Sequence, residues 1–321
     1  MNWNSFVDFI QKIAAGTSIF MNCILTILIL FKSPKQLGSY KYLMIYIVWF
    51  EILYSILDVI ITPIMFSHES IVMVIVFKKY SPIPHQVLLI LIAAYGACFG
   101  ISMGIFGLHF IYRYFVSTGS NYMSTFKKGR IFYWMLIPII YGLIWGSVCF
   151  FLLGPSEEIN HIVANKLMLT FGWEIHDISY LGPYFYQIQP DGSYKIGWNS
   201  VVGVVIAWTI LFSSLVAIIY CGIKCYLYIN SMINITNSSV SKNLRNLQAQ
   251  LFYALVTQTA IPVILMHIPL SIVILFSFLD KDLGTLSGIT SITISLFPAL
   301  DPLPTMFIIK NYRTTIFGKI I

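Results

Sequence analysis

The chain alternates long apolar runs with short polar breaks, and the length of the runs decides what they become. Lipid offers backbone N–H and C=O groups no partner outside their own segment, so a crossing helix needs about 20 mostly apolar residues at 1.5 Å of rise each. Seven windows meet that requirement: 13–31, 42–66, 87–115, 131–153, 200–229, 251–279 and 286–309. Several exceed the minimum, which leaves room for tilt. With no internal repeat or low-complexity tract between them, the pattern predicts an all-α membrane protein. It is a bundle of seven transmembrane helices in a single domain over 1–321, with a long loop at 154–199, a loop at 230–250 and a short tail at 310–321.

Composition agrees, because only 10% of the 321 residues are charged while 58% are hydrophobic. A soluble domain carries roughly a quarter charged residues, so this chain is too apolar to coat a water-facing surface and belongs in a lipid bilayer. Segment 1–8 is too short and uncharged for a signal-peptide n-region, and the first helix is expected to remain as an anchor. Orientation follows the cations. With the N-terminus outside, most of the 19 Lys and Arg fall on inner segments, among them Lys32, Lys35, Lys41, Lys127, Lys128, Arg130 and Lys310, and no Asp or Glu does. The net charge of +7 is then a property of the inner face, suited to anionic lipid or an acidic intracellular partner and not to nucleic acid.

The loop 154–199, now extracellular, is too long to be a mere connector. Ser156 reads as an N-cap before Glu157 and Glu158, with Ile159, Ile162, Val163 and Leu167 at helical spacing. Further on, YFYQIQPDGSYKIGW (184–198) alternates apolar and polar positions on both sides of Pro190-Asp191-Gly192, a turn signal. A short helix and then a β-hairpin are expected, either as a lid over an outer pocket or as a solvated loop. His161, His176 and Asp177 match no metal-site spacing, so no metal or cofactor is expected. No nucleophile, base or phosphate-loop constellation points to an enzyme. The sequons at Asn234 and Asn237 fall in the inner loop, where glycosylation is not expected. Cys225, near the inner face, is a candidate for palmitoylation.

Within the windows the costly residues are Glu51, Asp58, His109, His267 and Asp301. Glu51 and Asp58 stand two turns apart on one helix face. Pro262 and Pro269 in the sixth helix, and Pro298, Pro302 and Pro304 in the seventh, predict bends. Arg113, held between Tyr112 and Tyr114 at the inner mouth of the third helix, fits an interfacial anchor that snorkels toward water.

Four blocks carry a resemblance: LGSYKYLMIY (37–46), HFIYRYF (109–115), LQAQLFYALVTQTAIP (247–262) and FPALDPLPTMFIIKNYRTTIF (297–317). In this order and spacing they are similar to the nematode Str-type seven-helix chemoreceptors, G-protein-coupled receptors that include the diacetyl odorant receptor. The resemblance implies reception of a small odorant at the plasma membrane of a sensory cilium and signalling through a heterotrimeric G protein, which Tyr112, Arg113 and Tyr114 would contact. Two departures from the broader rhodopsin-like pattern stand out. Tyr112 replaces the acid that usually precedes the arginine, and with no inner carboxylate the resting restraint must come from packing or neutral hydrogen bonds. The cysteine-free loop 154–199 also leaves no partner for the usual disulfide from the third helix.

A receptor-like bundle makes helices two and seven neighbours. Glu51 and Asp301 both lie about 12 to 14 Å above the inner ends, where they are expected to face each other and share a proton or a cation, unless each bonds locally. The ligand pocket is expected in the outer half, with Tyr95, Phe99, Ser102, Trp208 and His267 as its candidate residues. The alternative function is a ligand-gated channel or transporter; the absence of repeat halves and of paired broken helices stands against a transporter, and the outward N-terminus stands against an insect-type odorant channel. A retinal photoreceptor is excluded by the absence of lysine in 286–309.

Overall fold

In the computed structural model of the chain, which describes residues 3–79, 81–127, 129–188, 192–234 and 242–318, the apolar windows are helices. They are α1 (Trp3–Lys32), α2 (Tyr40–Ile61), α3 (His85–Thr118), α4 (Ile131–Leu152) and α6 (Trp198–Asn234). The sixth span joins α7 (Lys242–Pro262), a π turn (Val263–His267) and α8 (Ile268–Phe278). The seventh joins α9 (Ser287–Leu300) and α10 (Pro302–Ile308), and α11 (Lys310–Phe317) follows at the inner end. Among the described residues, seven helical spans are long and apolar enough to cross a membrane. The lysines and turn residues that fall outside the described residues include Lys128, Pro190, Asp191 and the sequon at Asn237.

α3 is the central strut, lying against α2, α4 and α6. Its approach to α4 depends on small residues. A Cβ at Gly100 would come to 3.0 Å from the Tyr141 carbonyl oxygen, and one at Gly104 to 3.0 Å from Pro138 Cα. Such seams let two membrane helices pack backbone to backbone, where dispersion replaces the missing hydrophobic drive.

The outer loop contains α5 (Glu157–Phe171), capped as expected: Ser156 Oγ accepts from the Ile159 N–H at 3.2 Å, and Glu157 and Glu158 complement the helix dipole. Gly172, at φ 70°, ends it in a left-handed turn. The hairpin follows as β4 (Tyr186–Ile188) and β5 (Tyr194–Ile196), with Tyr186 opposite Ile196; in the numbering used below, β1 is Ile64–His68, β2 is Ile71–Phe77 and β3 is Ile178–Leu181.

Two features depart from the expectation. The second window, 42–66, overshoots: α2 stops at Ile61 because Thr62 turns left-handed (φ 41°) ahead of Pro63, and a residue before proline resists helical backbone. The chain then enters β1, and β2 pairs with both β1 and β3 in an antiparallel sheet ordered β1-β2-β3. β2 reads IVMVIVF because both its faces are covered, and a search for 20-residue runs passes over a buried strand that short. Ile71, Met73 and Ile75 pack with Ile159, Val163 and Leu167 of α5 into a small outer core of their own. Each such side chain contributes about 1.5–3 kcal/mol on burial.

Candidate functional site

Beneath this sheet lies a cavity of about 100 Å³. Tyr95 and Phe99 of α3, Trp145 of α4, Trp208 of α6 and His267 of the π turn form its walls. Met65, Val72, Val74, Leu181 and Gly182 of the two outer loops roof it. Phe99 stacks on Trp145 with ring centroids 6.2 Å apart and meets His267 edge-on at 6.0 Å. The walls are nearly all carbon, which suits a small apolar molecule. Of the five candidate ligand residues, Ser102 is the one not on the cavity wall. Its hydroxyl donates back to the Phe99 carbonyl at 2.9 Å and lies 3.4 Å from His267 Nε2, so it orients the imidazole from below.

The roof is fastened by charge at its outer rim. Asp282, between α8 and α9, meets His68 Nδ1 of β1 and Lys166 Nζ of α5, each at 3.2 Å, and the Gly284 N–H at 2.6 Å. Partial burial pushes its carboxyl up, but these donors outweigh that and hold it below the usual carboxylate range. Asp177 is engaged by Lys79 at 3.1 Å, and His161, His176 and Asp177 belong to no metal-binding cluster among the described residues.

Below the cavity a buried polar network crosses the bundle. Tyr95 lies beside Asp58 and stacks on Tyr54 at 5.3 Å. Asp58 Oδ2 meets Ser295 Oγ of α9 at 2.8 Å. Two turns deeper, Glu51 and Asp301 lie carboxyl beside carboxyl, with Asn22 of α1 beside Glu51. Asn22 Nδ2 donates to the Pro298 carbonyl at 3.1 Å. Gln258 of α7 donates to Asp301 Oδ2 at 2.8 Å and accepts from Thr305 Oγ1 of α10 at 2.9 Å. Asp301 itself separates α9 from α10, and the π turn follows Pro262, so the proline-bearing segments are where regular helix is interrupted.

At the inner end the arginine is not a snorkelling anchor. Arg113 is 1% exposed; its Nη2 donates to the Gln248 carbonyl of α7 at 2.7 Å, and its guanidinium sits 5.4 Å from the Tyr40 ring centroid. Tyr40 also stacks on Tyr112 at 5.3 Å, while Tyr112 meets Phe126 edge-on at 5.1 Å. Tyr114 turns the other way, toward Tyr220 of α6. Nη2 is engaged within the chain: a backbone carbonyl of the sixth span takes it, a neutral acceptor where the inner segments offer no Asp or Glu. His109 Nε2 lies 3.1 Å from the Leu43 carbonyl, an acceptor only, so Nδ1 is left to accept from the Tyr40 hydroxyl at 3.3 Å. Cys225 is fully buried beside Ser117 at 3.2 Å, which removes it as an acylation site.

Sequence reasoning passed over Gln258, Thr305, Asn22 and Tyr40. A neutral amide within an apolar window carries a smaller insertion cost than a carboxylate, so a search for ionisable residues does not register it. Gln258 inside LQAQLFYALVTQTAIP was nonetheless a visible signal.

Comparison with known proteins agrees with this arrangement. The family described as Serpentine type 7TM GPCR chemoreceptor Str matches residues 7–317. Among Caenorhabditis elegans relatives, G-protein coupled receptor str-217 is 36% identical over 97% of this chain and 89% of its own. Serpentine receptor class r-10 is 31% identical over 98% and 91%. Squid rhodopsin, at 12% identity, superposes with a TM-score of 0.64 over 99% of this chain and 81% of its own, which establishes a shared rhodopsin-like fold. Seven spans, a roofed outer cavity and a family match covering nearly the whole chain lead to one assignment: the chain belongs to the Str family of serpentine, seven-helix G-protein-coupled chemoreceptors.

Proposed function

We propose that the chain is an olfactory receptor that takes a small, largely apolar odorant into the cavity between Phe99, Trp208 and His267. It passes the event to a heterotrimeric G protein at the inner face of the plasma membrane, in the cilium of a chemosensory neuron. The observation that carries this reading is the double membership of Tyr95, which walls the cavity and also lies beside Asp58 at the head of the buried polar network. A ligand in contact with Tyr95 bears through Asp58 on Ser295 of the seventh span, and one in contact with His267 bears on the sixth span directly. Those spans are already interrupted at the π turn and at Asp301.

A ligand moves such an equilibrium only by its differential affinity for the two arrangements. Reversing a 1:99 population takes about 5.5 kcal/mol, so the resting ties must be modest. The Arg113 to Gln248 hydrogen bond, with one charged partner, is of the order of 1.5–3 kcal/mol. Movement of the inner end of α7 carries the Gln248 carbonyl away and frees the guanidinium for a backbone acceptor on the G protein. The test is a second-messenger assay in a heterologous cell, screened with small odorants with and without a G-protein inhibitor. Responses abolished by the inhibitor support the reading; a current that survives it favours a channel.

A further inference from the structure

The cavity is roofed toward water but borders the lipid. Met65, Val72 and Leu181 of the roof are 4%, 2% and 3% exposed, and a side chain at Gly182 would collide with the Val72 carbonyl, so backbone lies directly on backbone there. On the opposite side a second space of about 340 Å³ opens between α6 and the sixth span. Phe212, Ile268 and Ile272 edge it on the lipid-facing surface at 55%, 48% and 45% exposure. It shares Trp208, Leu211, His267 and Ser271 with the cavity, so these four side chains form a partition with a space on each face.

The partition stands where the sixth span is least regular. Val263 and His267, the two ends of the π turn, both border the lipid-side space, and Pro269 follows. A π turn widens the helix and commonly marks a functional position, and proline removes a further backbone tie. On its sixth-span side the partition therefore stands where the regular α-helical ladder is broken.

We infer that ligand reaches the cavity sideways from the bilayer, between α6 and the π turn, with Trp208 and His267 as the gate. This rests on the reading of the cavity as the ligand site and narrows the ligand class to small molecules that partition into acyl chains and carry at most a weakly polar group. Such a molecule exchanges one apolar surrounding for another along the path and meets Ser271 and His267 as its polar neighbours. A water-side groove of about 450 Å³ exists at the outer face, lined by Gln187, Lys195 and Asn199. Among the described residues it shares with the cavity only Leu153 and Gly182, where Gly182 is packed against the Val72 carbonyl.

The experiment uses the full chain in lipid nanodiscs and the diazirine of butanone, a small apolar photoprobe, mixed in and flashed after increasing delays, with labelling mapped by mass spectrometry. Ile268→Trp and Ile272→Trp plug the lipid side, and Asn199→Trp plugs the water side. The expected result is that labelling of Ile92, Tyr95 and Phe99 slows about tenfold in both lipid-side variants, equivalent to about 1.4 kcal/mol added to the barrier, and is unchanged in Asn199→Trp. Phe212→Ala, which opens the lipid side, is expected to speed it. Slowing by Asn199→Trp alone, or equally by every plug, or by Phe212→Ala, overturns the lateral route while leaving the cavity as a ligand site. Labelling at Phe212 and Ile272 with none on α3 in the unmodified chain overturns the cavity reading itself.

Discussion

Gln258→Leu isolates the tie between the sixth and seventh spans. The leucine keeps the approximate length of the side chain and removes two buried hydrogen bonds, to Asp301 Oδ2 at 2.8 Å and from Thr305 Oγ1 at 2.9 Å. Each is worth about 0.5–1.5 kcal/mol net, so the direct loss is about 1–3 kcal/mol. The Thr305 hydroxyl can turn to a carbonyl one turn back in its own helix, whereas Asp301 Oδ2 loses its Gln258 donor. If α7 leaves α10 on activation, these bonds exist only at rest and the whole loss falls on the resting arrangement. A difference of 1–3 kcal/mol is about 5- to 150-fold in the equilibrium. Ligand-independent G-protein activation, followed by energy transfer between labelled subunits at matched surface level, should rise within that range until it saturates. Thr305→Val, which breaks one bond, should give the smaller rise. If Gln258→Leu lowers thermal stability yet leaves basal activation unchanged, both arrangements keep the bonds and the reasoning fails.

Arg113→Lys should preserve surface expression and ligand binding yet lower stimulated signalling by an order of magnitude or so, because an ammonium lacks the planar fork of donors; equal signalling at matched levels would remove the docking role. Glu51→Gln and Asp301→Asn should each reduce thermal stability in detergent, with a coupling of about 0.5–3 kcal/mol in the double mutant, and additive losses would mean that the two do not act as one unit. Asp282→Asn should raise hydrogen exchange in β1. Since Asp282 is held below the usual carboxylate range when folded, its contribution is complete above that range and is lost as pH falls through the depressed value. The exchange difference between wild type and variant should therefore vanish in acid, and one that grows there contradicts the tether. An epitope tag before Trp3 should stain unpermeabilised cells, and staining only after permeabilisation would invert the topology.

The helices were legible because lipid imposes one rule on every span, and runs such as 131–153 satisfy it without help from tertiary contacts. The α5 cap at Ser156 was legible for the same local reason. The β1-β2-β3 sheet was not, since Val74 to Leu181 is a pairing across a hundred residues with no local turn to announce it. At the site, Tyr95, Phe99, Trp208 and His267 follow from depth and aromatic character, and the structure gathers them around one cavity. Ser102 misleads because a helical serine often spends its proton on its own backbone. Arg113 misleads differently: its acceptor is the main-chain carbonyl of Gln248, and a main-chain partner leaves no mark in the side-chain sequence.

The pairing of β2 with β3 has a consequence for how the outer face matures. Val74 to Phe77 of the first outer loop are joined to 178–181 of the second through peptide hydrogen bonds, and all five cysteines are free. A sulfur staple waits for an oxidant and is cut by thiols; a strand ladder forms once β3 has been synthesised and re-forms after every opening. Closure of the outer face is thus independent of redox compartment. The chain should assemble its roof as completely in a reducing cell-free extract supplied with lipid as in the secretory pathway, and dithiothreitol should leave the roof intact.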